Sequence, residues 1–190
     1  MQSNHTALLV MDVQNGIVSR FADDPEVLVP LQNAVKAARE AGTPVIFVRV
    51  AFRDGFPEIS TRNKSFSTIA QRGGMTSADW STQIHDSVGP RMDEPIVTKL
   101  RVSGFAGSDL EVILRAYRVD KLVLTGIATS GVVLSTLREA ADKDFELTVL
   151  SDACLDADPE VHRVLLEKVF PRQADVMTVN EWISSLGVNG

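Results

Sequence analysis

The chain has 190 residues, of which 44% are hydrophobic and 23% are charged. That length supports one compact domain with a full core, and we expect a single domain over residues 1–190. The hydrophobic share excludes an intrinsically disordered chain. The net charge of -6 offers no basic surface for nucleic acid or for an anionic membrane, so we expect neither as a partner.

The beginning of the chain, residues 1–6 (MQSNHT), lacks the basic start and apolar stretch of a secretory signal. No segment reaches the ~18 apolar residues of a membrane span, and we expect a cytoplasmic protein. Cys154 is the only cysteine, which excludes internal disulfides and multi-thiolate zinc sites. The histidines are scattered without the spacing of metal ligands, and we predict neither a metal nor another cofactor.

Apolar runs of strand length recur along the chain, and they are rich in Val, Ile and Leu with little alternation. Such runs are typical of strands that are buried on both faces, as in a parallel sheet. The predicted strands are residues 7–11, 45–50, 96–100, 121–125, 147–150 and 176–179.

Helical patterns with recognisable starts lie between these strands. Asp24, followed by a proline, predicts the start of a helix that ends near Gly42. Ser108 and Glu111 predict a capping box at a later helix. Residues 158–160 (DPE) again place an aspartate before a proline and predict a further helix start. Because strands and helices alternate, the sequence predicts a doubly wound α/β sheet that is covered by helices on both faces.

The segment 51–91 is irregular and holds several glycines and prolines among polar residues. Because a long irregular segment after a strand is more often functional than idle, we expect it to wall one side of a pocket. In a second interpretation it is a surface excursion whose aromatic residues fill a small core of their own. Those aromatic residues are Phe52, Phe56, Phe66 and Trp80.

Two of the predicted strand ends carry charged residues, and ligands of open parallel sheets bind at the carboxyl ends of the strands. Asp12 follows five apolar residues, and desolvation there would raise the pKa of its carboxyl toward the range useful for proton transfer. A carboxylate in this place can equally cap the next turn. Lys99 could hold Asp12 ionised, polarise a substrate or stabilise a developing anion, or it could extend into water.

The fourth predicted strand runs into a turn of small residues, 126–131 (GIATSG). Such a turn exposes backbone N–H groups at the start of a helix, where they can bind an anion or an oxyanion. Close packing of the helix explains the small residues equally well.

Together these stretches resemble the isochorismatase-like hydrolases, a family that includes nicotinamidases, carbamoylsarcosine-type amidohydrolases and isochorismatases. The likeness covers nearly the whole chain. It is carried, in this order, by residues 8–15 (LLVMDVQN), 98–105 (TKLRVSGF), 125–129 (TGIAT) and 151–153 (SDA). The resemblance implies a three-layer α/β/α, Rossmann-like sandwich with a six-stranded parallel sheet. It also implies a homodimer or homotetramer.

The same resemblance implies a set of site residues. Asp12 and Lys99 match the acid and the lysine of the family, and the Ile127–Ala128 bond matches a cis peptide. The N–H groups of Ala128 and Val132 would then face a substrate oxygen. The resemblance also implies that four further residues bind the substrate: Ile127, Thr129, Gln14 and Phe105.

The chain departs from the family at Val132, which occupies the position of the nucleophilic cysteine in the amidohydrolase branches. Because valine has no group that can attack, we expect acyl-enzyme chemistry to be absent. Cys154 follows a different predicted strand, and we interpret it as a packed hydrophobic residue rather than a replacement nucleophile.

We therefore expect a hydrolase of a small organic substrate that works by acid/base chemistry without a cysteine. By the resemblance, isochorismatases hydrolyse a vinyl ether with an aspartic acid as proton donor, which needs no nucleophilic side chain. Residues 48–51 lack a glutamine that would match the isochorismate contact, and 128–130 (ATS) is closer to the amidohydrolases. The alternative is a member that binds a small molecule, or serves as a scaffold, without turnover.

Two arginines next to the second predicted strand offer a further binding function. Arg49 and Arg53 could receive a substrate carboxylate through two parallel hydrogen bonds. The other interpretation places one of them at the surface, solvated or in an ion pair.

Overall fold

The computed structural model describes residues 5–21 and 25–187. Its centre is a six-stranded sheet in the order β3-β2-β1-β4-β5-β6, with every neighbouring pair parallel. The strands are β1 (Thr6–Met11), β2 (Val45–Val50), β3 (Ile96–Lys99), β4 (Lys121–Ile127), β5 (Glu146–Leu155) and β6 (Asp175–Met177). The predicted doubly wound parallel sheet is confirmed, and the chain reverses its direction of winding between β1 and β4.

Helices and short turns connect the strands. The α-helices are α1 (Asn15–Val18), α2 (Val29–Glu40), α3 (Lys64–Arg72), α4 (Leu110–Ala116), α5 (Leu134–Asp142), α6 (Pro159–Val164) and α7 (Val179–Ser185). Single 3-10 turns cover Pro25–Leu28, Trp80–Thr82, Asp86–Val88 and Phe170–Arg172, and π-helical turns cover Thr129–Val133 and Leu165–Val169. None of the described helices has the length and apolar character to span a bilayer.

The sheet is buried on both faces, as the continuous apolar strands predict. Leu8 and Val10 pack with α2 and α7 on one face, while Leu9 and Met11 pack with α4 and α5 on the other. Each such side chain is fully buried and contributes about 1.5–3 kcal/mol of hydrophobic stabilisation. The two helical layers therefore leave the strand ends as the accessible edge of the sheet.

Two helix starts differ from the sequence predictions. Ser108 accepts a hydrogen bond from the N–H of Leu110 at 3.2 Å, but Glu111 binds Arg115 and Lys143, so the predicted capping box does not form. A capping box stands instead at Thr178 and Glu181.

The capping box at Thr178 also explains why the last strand is shorter than the sequence predicts. The strand was predicted over 176–179, but Thr178 accepts from the N–H of Glu181 and thereby starts α7, so β6 ends at Met177. The cap predicted at Asp158 is confirmed, because its carboxylate accepts from the N–H groups of residues 160 and 161. Asp24, the other predicted cap, lies outside the described residues.

The segment 51–91 packs a small core of its own. Phe52 is fully buried and meets the edge of Phe66, with ring centroids 5.6 Å apart. Ile69 and Met75 pack against this pair, whereas Trp80 is 70% exposed. The interpretation of a small separate core is confirmed for the phenylalanines.

Gly126 lets β4 approach β1 closely at the carboxyl end of the sheet. Its φ of +140° is rarely adopted by residues with a side chain, and a Cβ added there would lie 2.1 Å from the Met11 carbonyl oxygen. One residue earlier, the Thr125 hydroxyl donates to the Leu9 carbonyl at 2.8 Å. These contacts fix the end of β4 beside the residue that follows β1.

A Gly126→Ala substitution should therefore destabilise the fold by more than about 2 kcal/mol, because backbone atoms must move apart. Gly42→Ala is the matched control. Its φ is +67°, but nothing lies within 4 Å of the added Cβ, so only the conformational cost of about 1–2 kcal/mol applies. Urea unfolding of both variants measures the difference, and equal losses would contradict the close approach.

Candidate active site

Asp12 lies immediately after β1 and is 6% exposed. Its φ is +57°, a left-handed conformation that aspartate and asparagine adopt more readily than most residues. Its N–H donates to the Val48 carbonyl on β2 at 2.8 Å, which continues the sheet pairing by one residue. The backbone at this position is therefore held on both sides.

Lys99 is the last residue of β3 and is 2% exposed, so the predicted alternative in which it extends into water is wrong. Its Nζ lies 3.0 Å from Asp12 Oδ2 and donates to the carbonyls of Arg101 and Val102 at 2.9 and 3.0 Å. An ammonium has three N–H donors, and these three contacts use them all. Lys99 therefore serves as a fixed charge next to Asp12.

The second carboxylate oxygen of Asp12 has no such partner. Oδ1 is buried and makes no hydrogen bond within the described part of the chain. Leaving a buried polar atom unpaired costs about 1–3 kcal/mol. Asp12 also lines a cavity, so its carboxyl group lies at the wall of a space that a small molecule can occupy.

Burial dominates the titration of Asp12. It raises the pKa of the carboxyl from 3.8 to about 6, although the charge and hydrogen bond of Lys99 act in the opposite direction. Both the protonated and the ionised form are therefore populated close to neutral pH, as proton transfer requires.

The cavity beside Asp12 has a volume of about 400 Å³ and fits only a small molecule. Four of the residues predicted at the site line it: Asp12, Lys99, Ala128 and Val132. The segment 51–91 supplies another side, with Phe66, Ile69, Gly73, Gly74, Met75 and Ser81. The prediction that this segment walls a pocket is confirmed.

The small-residue turn after β4 forms the third side of the cavity. The Ile127–Ala128 peptide bond is cis, and the Ala128 carbonyl accepts from the N–H groups of Gly131 and Val133 at 3.1 and 3.3 Å. Val132 is 2% exposed, lines the cavity and lies in the turn directly before α5.

Two side chains from beyond β5 hold this turn in place. Asp156 accepts from the N–H of Ser130 at 2.7 Å, and His162 pairs through Nδ1 with the Thr129 hydroxyl at 2.8 Å. Burial lowers the pKa of His162, so the neutral imidazole is favoured. Sequence reasoning missed both residues, because their partners lie 26 and 33 positions earlier in the chain.

Gln14, which was predicted to bind substrate, is fully buried and does not line the cavity. Its amide nitrogen donates to the carbonyls of Val50 and Thr82, and its amide oxygen accepts from the N–H of Val50, each at 2.9 Å. Gln14 therefore joins the end of β1 to β2 and to the segment 51–91.

Ile127, Thr129 and Phe105 were also predicted at the substrate, and the described lining does not include them. Ile127 packs in the core against α2 and α7, and Thr129 is turned to His162. Phe105 packs against Phe145, with ring centroids 6.1 Å apart. These residues support the turn and the core behind the cavity.

Arg49 and Arg53 lie away from the cavity lining as well. Arg49 donates to the Thr98 hydroxyl and to the Gln83 amide oxygen at 3.1 and 3.0 Å, and burial lowers the pKa of its guanidinium. Arg53 is largely exposed and pairs with Glu58, which confirms the interpretation that one of the two is an ion-paired surface residue.

Cys154 is 1% exposed in the hydrophobic core and lies outside the cavity lining. Burial raises the pKa of its thiol to about 12, so a thiolate is not populated near neutral pH. The prediction of a packed hydrophobic residue is confirmed.

The raised pKa of Asp12 predicts a pH-dependent stability. Because the folded-state pKa exceeds that of the unfolded chain, the stabilisation from the protonated carboxyl is complete below about pH 4 and is lost as the pH rises through about 6. The wild type should lose about 2 kcal/mol relative to Asp12→Asn between about pH 4 and pH 7. Urea unfolding at both pH values measures this change. A gap that stays constant would contradict it.

Comparison with known proteins places this site in a family. The isochorismatase domain profile matches residues 6–181. The chain is 31% identical to the ureidoacrylate amidohydrolase RutB of Stutzerimonas stutzeri (strain A1501), and the aligned region covers 98% of this chain and 82% of that relative.

Solved structures agree with this assignment. A cysteine hydrolase from Pseudomonas syringae pv. phaseolicola 1448A superposes with a TM-score of 0.88 at 25% identity, covering 98% of this chain and 94% of that one. For an N-carbamoylsarcosine amidase from Thermoplasma acidophilum the TM-score is 0.73 at 26% identity, covering 92% and 96%. The chain therefore belongs to the isochorismatase family and is a hydrolase of that family.

Proposed function

We propose that this protein hydrolyses a small organic molecule by acid/base catalysis at Asp12, with water as the nucleophile and no covalent enzyme intermediate. The observation that carries the proposal is the buried Asp12 carboxyl on the cavity wall, with Oδ1 unpaired and Oδ2 held by Lys99. A carboxyl with a pKa of about 6 can both give and take a proton near neutral pH.

The cavity lining supports a mechanism without an attacking side chain. Val132 is aliphatic, and Cys154 is buried in the core elsewhere. Ser81 carries the only hydroxyl of the described lining, and no hydrogen bond within the described residues joins it to Asp12 or to a histidine. A serine without a base is a weak nucleophile, so water is the remaining one.

Vinyl-ether hydrolysis is the form of this chemistry that the acid suits best. Asp12 would give its proton to the terminal alkene carbon, and water would add to the resulting oxocarbenium carbon. The proton lost by that water returns to the Asp12 carboxylate, and the hemiketal separates into an alcohol and a carbonyl compound. The atoms balance with one water consumed, and no step needs a nucleophilic side chain.

Lys99 and the backbone of the turn after β4 would have supporting roles in this reaction. Lys99 keeps the Asp12 carboxylate oriented, and its occupied donors exclude a direct role in binding substrate. We assign the backbone N–H groups of Ala128 and Val132 to hydrogen bonds that hold and orient an oxygen of the bound substrate.

Removal of the acid should abolish the reaction. Asp12→Asn removes the acidic proton, so kcat should fall by about 100-fold or more. The fold should be retained, because asparagine has the same shape and tolerates the positive φ. Turnover would be followed on a panel of vinyl ethers and small amides, to which the names of the relatives add ureidoacrylate and N-carbamoylsarcosine. Asp142→Asn, at an exposed site, is the matched control and should not change the rate. Equal rates for the wild type and Asp12→Asn would refute the role of Asp12.

Val132 itself favours a second function, in which the protein binds a small molecule without converting it. A Val132→Cys variant separates the two, because it restores a thiol at the cavity wall next to Asp12 and Lys99. If the wild type hydrolyses nothing on the panel and Val132→Cys gains amidase activity, the binding function is correct. Turnover by the wild type that Asp12→Asn abolishes supports the hydrolase.

A further inference from the structure

The charges on the cavity wall do not balance. The described lining holds three charged side chains, Asp12, Lys99 and Arg20. Asp12 and Lys99 neutralise each other when both are ionised, and the N–H donors of Lys99 are used within the protein. Arg20 therefore leaves the cavity with one unmatched positive charge.

Arg20 makes no ion pair within the described residues, whereas four other arginines of the chain do. It follows α1, its backbone N–H donates to the Ile17 carbonyl at 3.0 Å, and its side chain is exposed at the cavity. Within residues 5–21 and 25–187, no acidic side chain lies within ion-pair distance of its guanidinium. By contrast, Arg39, Arg53 and Arg115 are each paired with a glutamate.

The rest of the wall is mainly apolar. Ile17, Phe66, Met75 and Val132 line the cavity that holds Asp12 and Arg20. A ligand that satisfies this lining has an apolar body and a single anionic group. A guanidinium matches a planar carboxylate through two parallel hydrogen bonds, and one cation balances one monoanion.

We propose that Arg20 is a specificity-determining residue and that the substrate is a small monocarboxylate with an apolar body, whose carboxylate binds the Arg20 guanidinium. This inference deepens the proposed function, because it names the class of substrate that the same cavity accepts. It predicts that a carboxylate binds better than the primary amide of the same shape.

Matched pairs of simple probes test this without any need for turnover. The pairs are benzoate and benzamide, phenylacetate and phenylacetamide, and 3-phenylpropionate and 3-phenylpropanamide, with dissociation constants measured by calorimetry or NMR titration at low salt. For at least one pair, the wild type should bind the carboxylate about tenfold more tightly than the amide. This ratio should fall to about one in Arg20→Gln and should be partly kept in Arg20→Lys, which retains the charge but loses the planar fork.

Arg62→Gln is the control for net charge, because Arg62 is also exposed and lies outside the cavity lining. It should keep the wild-type ratio. An undiminished ratio in Arg20→Gln, an equal loss in Arg62→Gln, or a wild type that binds none of the three carboxylates would overturn the proposal. The probes are bound and not converted, so the result is independent of the reaction. If Asp12→Asn keeps full turnover, the proposed role of Asp12 as the acid is refuted. The proposed preference for a carboxylate is tested separately, by the Arg20 variants.

Discussion

The buried ion pair between Asp12 and Lys99 is the interaction on which the site depends. The two residues belong to β1 and β3, which are separated by β2, so the lysine side chain crosses the end of the intervening strand. Buried ion pairs contribute little net stability, because desolvation offsets their attraction. This one also leaves Oδ1 without a hydrogen bond from any residue that the structure describes. We therefore attribute the ion pair to the chemistry of a molecule that binds in the cavity, rather than to the stability of the fold.

The rest of the fold brings three strand ends together around that pair. Gly126 allows β4 to approach the Met11 carbonyl, and Gln14 joins β1 to β2 and to the segment 51–91. Asp156 and His162 secure the turn that carries Val132. The aliphatic side chain of Val132 thus stands at the cavity wall on a turn that is held from several sides.

Part of this site could be predicted from local sequence. Strands buried on both faces have continuous apolar runs, and the topology of a parallel sheet puts Asp12 and Lys99 at the same edge. The resemblance to the family added Ala128 and Val132, which no periodicity would have found. Gln14, Asp156 and His162 could not be placed in this way, since their roles depend on partners far along the chain. Arg20 carried no motif, and the cavity lining is what shows that its charge is unmatched among the described residues.

Burial outweighs the attraction of Lys99 and keeps the Asp12 carboxyl partly protonated near neutral pH. The most direct test is a ¹³C NMR titration of the aspartate carboxyl carbons, with the Asp12 resonance assigned by its absence in Asp12→Asn. We expect a midpoint at about pH 6 for Asp12. A midpoint at or below the ordinary aspartate value of about 3.9 would contradict it, because Asp12 would then be a fixed negative charge unable to act as an acid.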